Sequence, residues 1–141
     1  MITIEKATQK DLETICTLDS MVLGNPSRRD FLDNAVKADQ CLVAIIQNAI
    51  VGFAILETSF YGQGFISLLI VHPDYRKQGV AKALIQHIES ICKAEKLFTS
   101  TNKSNVIAQQ VFESLGFVRS GYVENLNESD PEIIYFKRLR R

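Results

Sequence analysis

A short basic segment at residues 76–82 combines the residue types needed to bind an anion. It reads Arg76-Lys77-Gln78-Gly79-Val80-Ala81-Lys82, so three cationic side chains surround one glycine. Successive backbone N–H groups in a tight turn form a concavity for an anion, and they do so best where the turn opens a helix. Gly79 permits a backbone conformation that a side chain would oppose. The segment therefore predicts a binding site for a phosphate group.

The flanking sequence places this segment between a strand and a helix. Residues 65–71 are nearly continuously apolar and rich in β-branched types, as in a strand buried on both faces. Pro73 ends that strand because proline has no N–H to donate. From Val80 to Cys92 the apolar residues follow helical spacing. The alternative interpretation is an ordinary connection between a strand and a helix.

Two other nucleotide-binding motifs are excluded. A P-loop needs the pattern G-x-x-x-x-G-K-[ST], and residues 76–82 lack both the first glycine and the Lys-Ser/Thr pair. The Gly62-Gln63-Gly64 triplet leads into a strand instead of a helix, so it is not a dinucleotide fingerprint.

The composition is that of one globular domain of 141 residues, with 46% hydrophobic and 23% charged residues. Sixteen basic residues balance sixteen acidic ones, so the charge favours neither nucleic acid nor an anionic membrane. No apolar run approaches the roughly 20 residues of a membrane span. Cys16, Cys41 and Cys92 are scattered, which indicates buried thiols in a reduced, cytoplasmic protein and not a disulfide framework or a metal site.

Along the chain, hydrophobic periodicity predicts a single α/β domain around a mixed sheet. The predicted strands lie near Ile2–Ile4 and at Cys41–Ile46, Ile50–Phe60, Phe65–Val71, Leu97–Thr101, Phe117–Leu126 and Ile133–Leu139. The predicted helices lie at Leu12–Met21, Phe31–Val36, Val80–Cys92 and Val106–Leu115. Short turns predict that the strands between Cys41 and Val71 are antiparallel neighbours, and the helical crossover predicts that Leu97–Thr101 is parallel to Phe65–Val71.

Two motifs resemble those of the GNAT family of N-acetyltransferases. Arg76-x-x-Gly79-x-Ala81 after a strand is similar to the family signature [RQ]-x-x-G-x-[GA]. Asn105-x-x-Ala108-x-x-x-Phe112-x-x-x-Gly116-Phe117 is similar to the family's second block. The order of elements from Ile2 to Leu139 also matches. The resemblance implies a mixed, mostly antiparallel sheet of about seven strands, with helices on both faces and a V-shaped opening between two parallel strands.

The resemblance also implies a cofactor, acetyl-CoA, in the opening between Phe65–Val71 and Leu97–Thr101. Backbone N–H groups of the 78–82 segment would hold its pyrophosphate, and main-chain groups of Ile70 and Val71 would contact the pantetheine arm. Asn105 would hydrogen-bond the arm, and Phe112 would pack near the thioester. The full set of implied cofactor-binding residues is Ile70, Val71, Arg76, Lys77, Gln78, Gly79, Val80, Ala81, Lys82, Asn105 and Phe112.

The implied reaction is direct attack of an amine on the thioester, with no metal, in a ternary complex. A strand N–H near Val71 could stabilise the oxyanion. The chain departs from the family at Phe112, where a tyrosine acid is common, and at Ser67-Leu68, where a carboxylate is common. We therefore predict Glu57 as general base, directly or through water, and Tyr122 as a residue that could reach the thiol. Solvent-facing or packing roles are the alternatives for both.

Two further residues near the loop are weaker candidates for a role in the chemistry. Ser67 could position a water, and His72 could serve as a base, although His-Pro after a strand is more often a turn element.

The sequence thus predicts a cytoplasmic N-acetyltransferase acting on a primary amine of a small molecule or peptide. The acidic segment Glu124–Glu132 either forms a solvated turn or borders the substrate cleft and favours a cationic amine. A homodimer through the last strands is compatible with the family. Two alternatives stay open, namely a non-catalytic acyl-CoA-binding or sensing module of the same fold and a pure interaction domain.

Overall fold

The computed structural model of the protein describes residues 1–139, and Arg140 and Arg141 lie outside the described residues. Seven strands and four α-helices follow one another along the chain. In order they are β1 (Thr3–Lys6), α1 (Leu12–Leu23), α2 (Arg29–Lys37), β2 (Cys41–Ile46), β3 (Ala49–Phe60), β4 (Gln63–Val71), α3 (Val80–Ile91), β5 (Lys96–Asn102), α4 (Val106–Ser114), β6 (Val118–Val123) and β7 (Glu132–Arg138). No helix within these residues is long and apolar enough to span a membrane.

The seven strands form one sheet in the order β1-β2-β3-β4-β5-β7-β6. Pairing is antiparallel between β1 and β2, β2 and β3, β5 and β7, and β6 and β7, whereas β4 and β5 are parallel. The predicted mixed sheet and the predicted parallel pairing of β4 with β5 are therefore confirmed.

The turn between β3 and β4 is shorter than the four residues, 61–64, that separate the two predicted strands, because β4 already begins at Gln63. Tyr61 and Gly62 both adopt positive φ angles, 53° and 76°, as in the tight two-residue turns that match the twist of a hairpin. Gly64 already lies inside β4, where it is buried. The glycine that the turn requires is therefore Gly62.

Two compact units divide the chain, and the first comprises Met1–Leu56 and Leu68–Ser90. Its core is built from α1, α2 and the strands beneath them, with Ile15, Leu32 and Phe53 fully buried. Within this unit Gly52 allows α3 to start close to the sheet, because a Cβ there would lie 2.9 Å from both the Ile70 carbonyl oxygen and the Val80 Cγ1. The position of the α3 N-terminus is thus set by close packing.

The connection between α1 and α2 in the first unit is fixed by a partly buried ion pair. Asp19 on α1 is 1% exposed, and its carboxylate accepts hydrogen bonds of 3.0 and 2.6 Å from the Nε and Nη2 of Arg28. A two-point bond between a guanidinium and a carboxylate fixes orientation as well as distance. It therefore holds the residues just before α2 against α1.

The second unit comprises Glu57–Ser67 and the chain from Ile91 onward. Its core joins β5, β7 and α4 through Leu97, Ile133, Tyr135, Phe112 and Phe117, all at most 3% exposed. The Phe112 ring lies 5.5 Å from the Tyr135 ring and 6.0 Å from the Phe117 ring, measured between centroids. Aromatic packing of this kind fixes α4 on the sheet.

The prediction that β4 is buried on both faces is wrong for much of the strand. Only Gly64, Ile66 and Ile70 are buried, and the remaining residues of β4 are half-buried. A strand with a full neighbour on each side and helices above and below would bury every position. The half-burial shows that β4 retains accessible surface along its length.

Candidate functional site

The connection between β4 and α3 has the backbone geometry of an anion-binding loop. Lys77 and Gly79 both lie in the left-handed region, with φ angles of 63° and 85°. The Gly79 carbonyl accepts the first helical hydrogen bond, 2.9 Å from the Ala83 nitrogen. Because Gly79 has no side chain, no cap from that position occupies the N–H groups of the first turn of α3. Those N–H groups and the helix dipole are available to a ligand.

The cationic side chains of this loop are also available. Arg76, Lys77 and Lys82 are exposed, and none of them forms an ion pair with a carboxylate among residues 1–139. Val80 is buried and anchors the start of the helix. The loop therefore combines a fixed backbone with free positive charge, which suits a phosphate or pyrophosphate.

His72 serves as a turn element at the start of this loop. Its Nδ1 accepts a 3.0 Å hydrogen bond from the Asp74 nitrogen, and its carbonyl accepts one of 2.9 Å from the Tyr75 nitrogen. His72 also lines a cavity of about 270 Å³ with residues of α1, including Thr14 and Thr17. The hydrogen bonds of His72 match the turn interpretation of His-Pro, and a role for His72 as a base stays a prediction.

The connection between β5 and α4, which lies in the second unit, is held by side chains. The Asn105 Oδ1 accepts a 3.1 Å hydrogen bond from the Ala108 nitrogen and so caps α4. Gln109, 7% exposed, donates from Nε2 to the carbonyl oxygens of Asn102 and Lys103 at 3.2 and 2.7 Å. With the Asn105 oxygen used in the cap, its Nδ2 remains to donate to a ligand.

The acidic turn before β7 also holds this connection. The Asp130 carboxylate accepts hydrogen bonds from the Ser104 nitrogen at 2.9 Å and the Ser104 Oγ at 2.7 Å. The Lys103 nitrogen donates to the Pro131 carbonyl oxygen at 2.9 Å. Sequence analysis missed the roles of Gln109 and Asp130, because a carboxylate in a polar turn and a glutamine on a helix look the same whether bonded or solvated.

The two predicted catalytic residues, Glu57 and Tyr122, belong to neither the β4–α3 connection nor the β5–α4 connection. Glu57 is half-buried near the end of β3, and Tyr122 is 58% exposed on β6, opposite Ile133 of β7. Both belong to the second unit. Phe112 is 3% exposed in the core of that unit. The roles assigned to these three residues stay predictions.

Hydrogen bonds from side chains of β6 and β7 to side chains of α4 support this helix next to the buried Tyr135. The Tyr135 hydroxyl donates to the Glu113 Oε2 at 2.9 Å, and an Arg119 Nη donates to the Gln109 Oε1 at 3.2 Å. Burial raises the pKa of Tyr135, and the hydrogen bond with Tyr135 raises the pKa of Arg119. Tyr135 therefore stays a neutral donor and Arg119 a cation near neutral pH.

No group of three or more His, Cys, Asp or Glu side chains within residues 1–139 is arranged to hold a metal ion. Burial raises the pKa of the Cys41 thiol to about 12, so this side chain is a protonated core residue. Cys92 is also buried, and Cys16 is half-buried. The absence of a metal from the reaction stays a prediction.

Comparison with known proteins assigns this chain to one protein family. Residues 6–117 match the family model described as Acetyltransferase (GNAT) family. The crystal structure of a GNAT-family acetyltransferase from Bacillus cereus ATCC 10987 is 40% identical, covers 100% of this chain and 99% of its own, and superposes with a TM-score of 0.95. The chain belongs to the GNAT acetyltransferase family, and its fold is the GNAT fold.

Three other relatives are more distant. A Bacillus anthracis structure solved in complex with acetyl coenzyme A is 25% identical, covers 70% of this chain and 61% of its own, and superposes with a TM-score of 0.65. The mouse Cysteine-rich protein 2-binding protein is 28% identical over 111 residues, and the human protein of that name is 27% identical. Each match covers 73% of this chain but only 14% of the curated relative.

Proposed function

We propose that residues 1–141 form one N-acetyltransferase domain that moves an acetyl group from acetyl-CoA to a primary amine of a small molecule or peptide in the cytoplasm. The observation that carries the proposal is the loop between β4 and α3. Two left-handed residues, Lys77 and Gly79, turn its backbone into a helix start with uncapped N–H groups and free cations. Membership of the GNAT family and a relative solved with acetyl coenzyme A support acetyl-CoA as the ligand.

The pyrophosphate and the pantetheine arm of the cofactor each have candidate binding residues in the chain. The N–H groups of Gln78, Gly79 and the first turn of α3 would bind the pyrophosphate, with Arg76, Lys77 and Lys82 adding charge. Main-chain groups of Ile70 and Val71 would bind the pantetheine arm, since β4 keeps accessible surface. Asn105 would donate from Nδ2 to the arm, and Phe112 would pack near the thioester.

The chemistry would be direct attack of the neutral amine on the thioester carbonyl in a ternary complex. Holding the two reactants together contributes about 7–11 kcal/mol to lowering the barrier in favourable cases. A β4 N–H near Val71 would stabilise the oxyanion. The residues predicted from the sequence for the two proton transfers are Glu57, as the base that takes the amine proton, and Tyr122, as the acid that protonates the thiolate.

Two measurements test this function. Calorimetry with acetyl-CoA should give saturable binding, and assays of thiol release should identify an accepted amine. The panel contains a peptide with a free α-amine, an Nα-blocked lysine peptide, spermidine, free amino acids and an aminoglycoside. Failure to bind acetyl-CoA would reject the proposal, whereas binding without product from any amine would favour the non-catalytic acyl-CoA module.

A further inference from the structure

The parallel pairing of β4 with β5 ends at a pair of serines. The ladder contains the pairs Gly64–Leu97, Phe65–Phe98 and Ile66–Thr99, and the next residues are Ser67 on β4 and Ser100 on β5. All of them belong to the second unit. Phe60 contacts both Phe65 and Phe98, at 4.7 and 5.2 Å between centroids, so these two rings share one side of the sheet. Strand alternation puts Ser67 and Ser100 on that same side.

Ser67 has a hydroxyl without a protein partner. Its Oγ is buried, and it makes no hydrogen bond with any residue of the described chain. A buried hydroxyl left unpaired costs roughly 1–3 kcal/mol, so such a group calls for a ligand or water partner. The hydroxyl therefore marks a place where a polar ligand fits.

Ser100 is bonded to a carboxylate on the other neighbouring strand. Its Oγ donates to the Glu132 Oε2 at 2.7 Å, and Glu132 lies opposite Asn102 in the pairing of β7 with β5. Glu132 is half-buried, and within residues 1–139 its Oε1 has no hydrogen-bond donor. The carboxylate is thus held in one orientation with one oxygen free. Glu57, by contrast, has no side chain in the described residues that orients it.

We propose that Glu132 is the general base of the acetyl transfer and that Ser100 positions it. The Ser67 hydroxyl would hydrogen-bond the incoming amine or a water that relays its proton. This inference rests on the proposed N-acetyltransferase function and assigns the base to a residue that the sequence motifs do not contain.

The proton and bond changes balance without any further reactant. A proton passes from the ammonium form of the acceptor to the free Glu132 oxygen, and the neutral amine forms the C–N bond at the thioester carbonyl. The C–S bond then breaks, and the second amine proton passes to solvent water. Coenzyme A departs as a thiolate that takes up the proton held by Glu132, directly or through water, so the net products are the acetylated amine, the free thiol and one proton released to solvent.

The test is Glu132→Gln, which keeps the shape of the side chain and removes the base. With the best amine from the panel, kcat should fall about 10²–10⁴-fold, the range for loss of a general base, while the Kd for acetyl-CoA and the Tm stay unchanged. In Glu132→Ala, added formate should restore part of kcat, because a small carboxylate can replace the missing base. Ser100→Ala should lower kcat less than Glu132→Gln does.

The controls separate this proposal from the wider function. Glu5→Gln, a substitution of an exposed carboxylate on β1, should leave kcat unchanged. If wild-type protein binds acetyl-CoA and acetylates an amine but Glu132→Gln keeps its kcat, the base assignment is wrong and the function stands. A loss of kcat with an equal loss of acetyl-CoA affinity, or without formate rescue, would show a structural role and also overturn the assignment. Glu57→Gln, measured in parallel, decides between the two carboxylates.

Discussion

The molecule contains two connections from a strand into a helix that build their geometry in opposite ways. The one from β4 to α3 uses the backbone, with Lys77 and Gly79 at positive φ and with a residue that has no side chain, Gly79, at the helix N-cap. The one from β5 to α4 uses side chains, since Asn105 caps the helix while Gln109 and Asp130 hold the loop. The first has no capping side chain at its N-cap residue, Gly79, whereas in the second Asn105 caps the Ala108 N–H.

This difference in construction suits the β4–α3 connection to binding an anion and the β5–α4 connection to supporting α4. A helix N-terminus can hold an anion only if its first N–H groups have no protein acceptor. Free N–H groups and unpaired cations at Arg76–Lys82 meet that condition, whereas at α4 the Asn105 cap uses one N–H and leaves an amide donor instead. The first loop therefore fits a phosphate, and the second fits a neutral acceptor such as an amide carbonyl.

The largest effect expected is from Gly79→Val, which attacks the backbone-built loop. A β-branched residue at a φ of 85° costs about 1–3 kcal/mol, so the loop should change conformation and lose its N–H groups to the ligand. The Kd for acetyl-CoA should rise about 10–100-fold, measured by calorimetry. Because a Cβ at Gly79 meets no atom within 4 Å, a clash inside the protein does not explain the loss.

Gly24→Val is the matched control for that substitution. Gly24 also has a positive φ, 96°, at a helix terminus, and a Cβ there also meets no atom within 4 Å. The control should lower stability by a similar amount, read by thermal denaturation, and leave acetyl-CoA affinity intact. Equal losses of affinity in both variants would show that the β4–α3 loop has no special role.

The sequence predicts the first connection better than the second, for a physical reason. Positive φ at Gly79 and the end of β4 at Pro73 are local preferences, so a few adjacent residues suffice to predict them. The Asp130 and Glu132 bonds to Ser104 and Ser100 join residues 26 and 32 positions apart. Such partners depend on the register of β7 with β5, which no local pattern encodes. The sequence accordingly indicates Glu132 only as the end of an acidic segment, while Glu57 is proposed as the base from its place on a strand.

A smaller effect, confined to acetyl-CoA affinity, is expected at Asn105. Its side-chain oxygen caps α4 and its side-chain nitrogen would contact the ligand, so a substitution can remove one without the other. Asn105→Asp keeps an oxygen to accept from the Ala108 nitrogen, so stability should be unchanged. It removes the Nδ2 donor, so acetyl-CoA affinity should fall about fivefold to tenfold, the value of one hydrogen bond. Asn105→Ala should lose the same affinity and about 1 kcal/mol of stability as well. Unchanged affinity in Asn105→Asp would remove Asn105 from the cofactor site.

The smallest effect is expected at Asp130, which supports the side-chain-built loop without touching a ligand. Asp130→Ala removes two hydrogen bonds to Ser104, but both are exposed, so the free energy of unfolding should fall by only about 0.5–1.5 kcal/mol. Ser104→Ala and the double variant complete a cycle, and the loss in the double should be less than the sum of the singles, because the residues share a bond. Acetyl-CoA affinity should change less than threefold in Asp130→Ala. A larger change would mean that the geometry of this loop controls cofactor binding and that the two connections differ less in role than in construction.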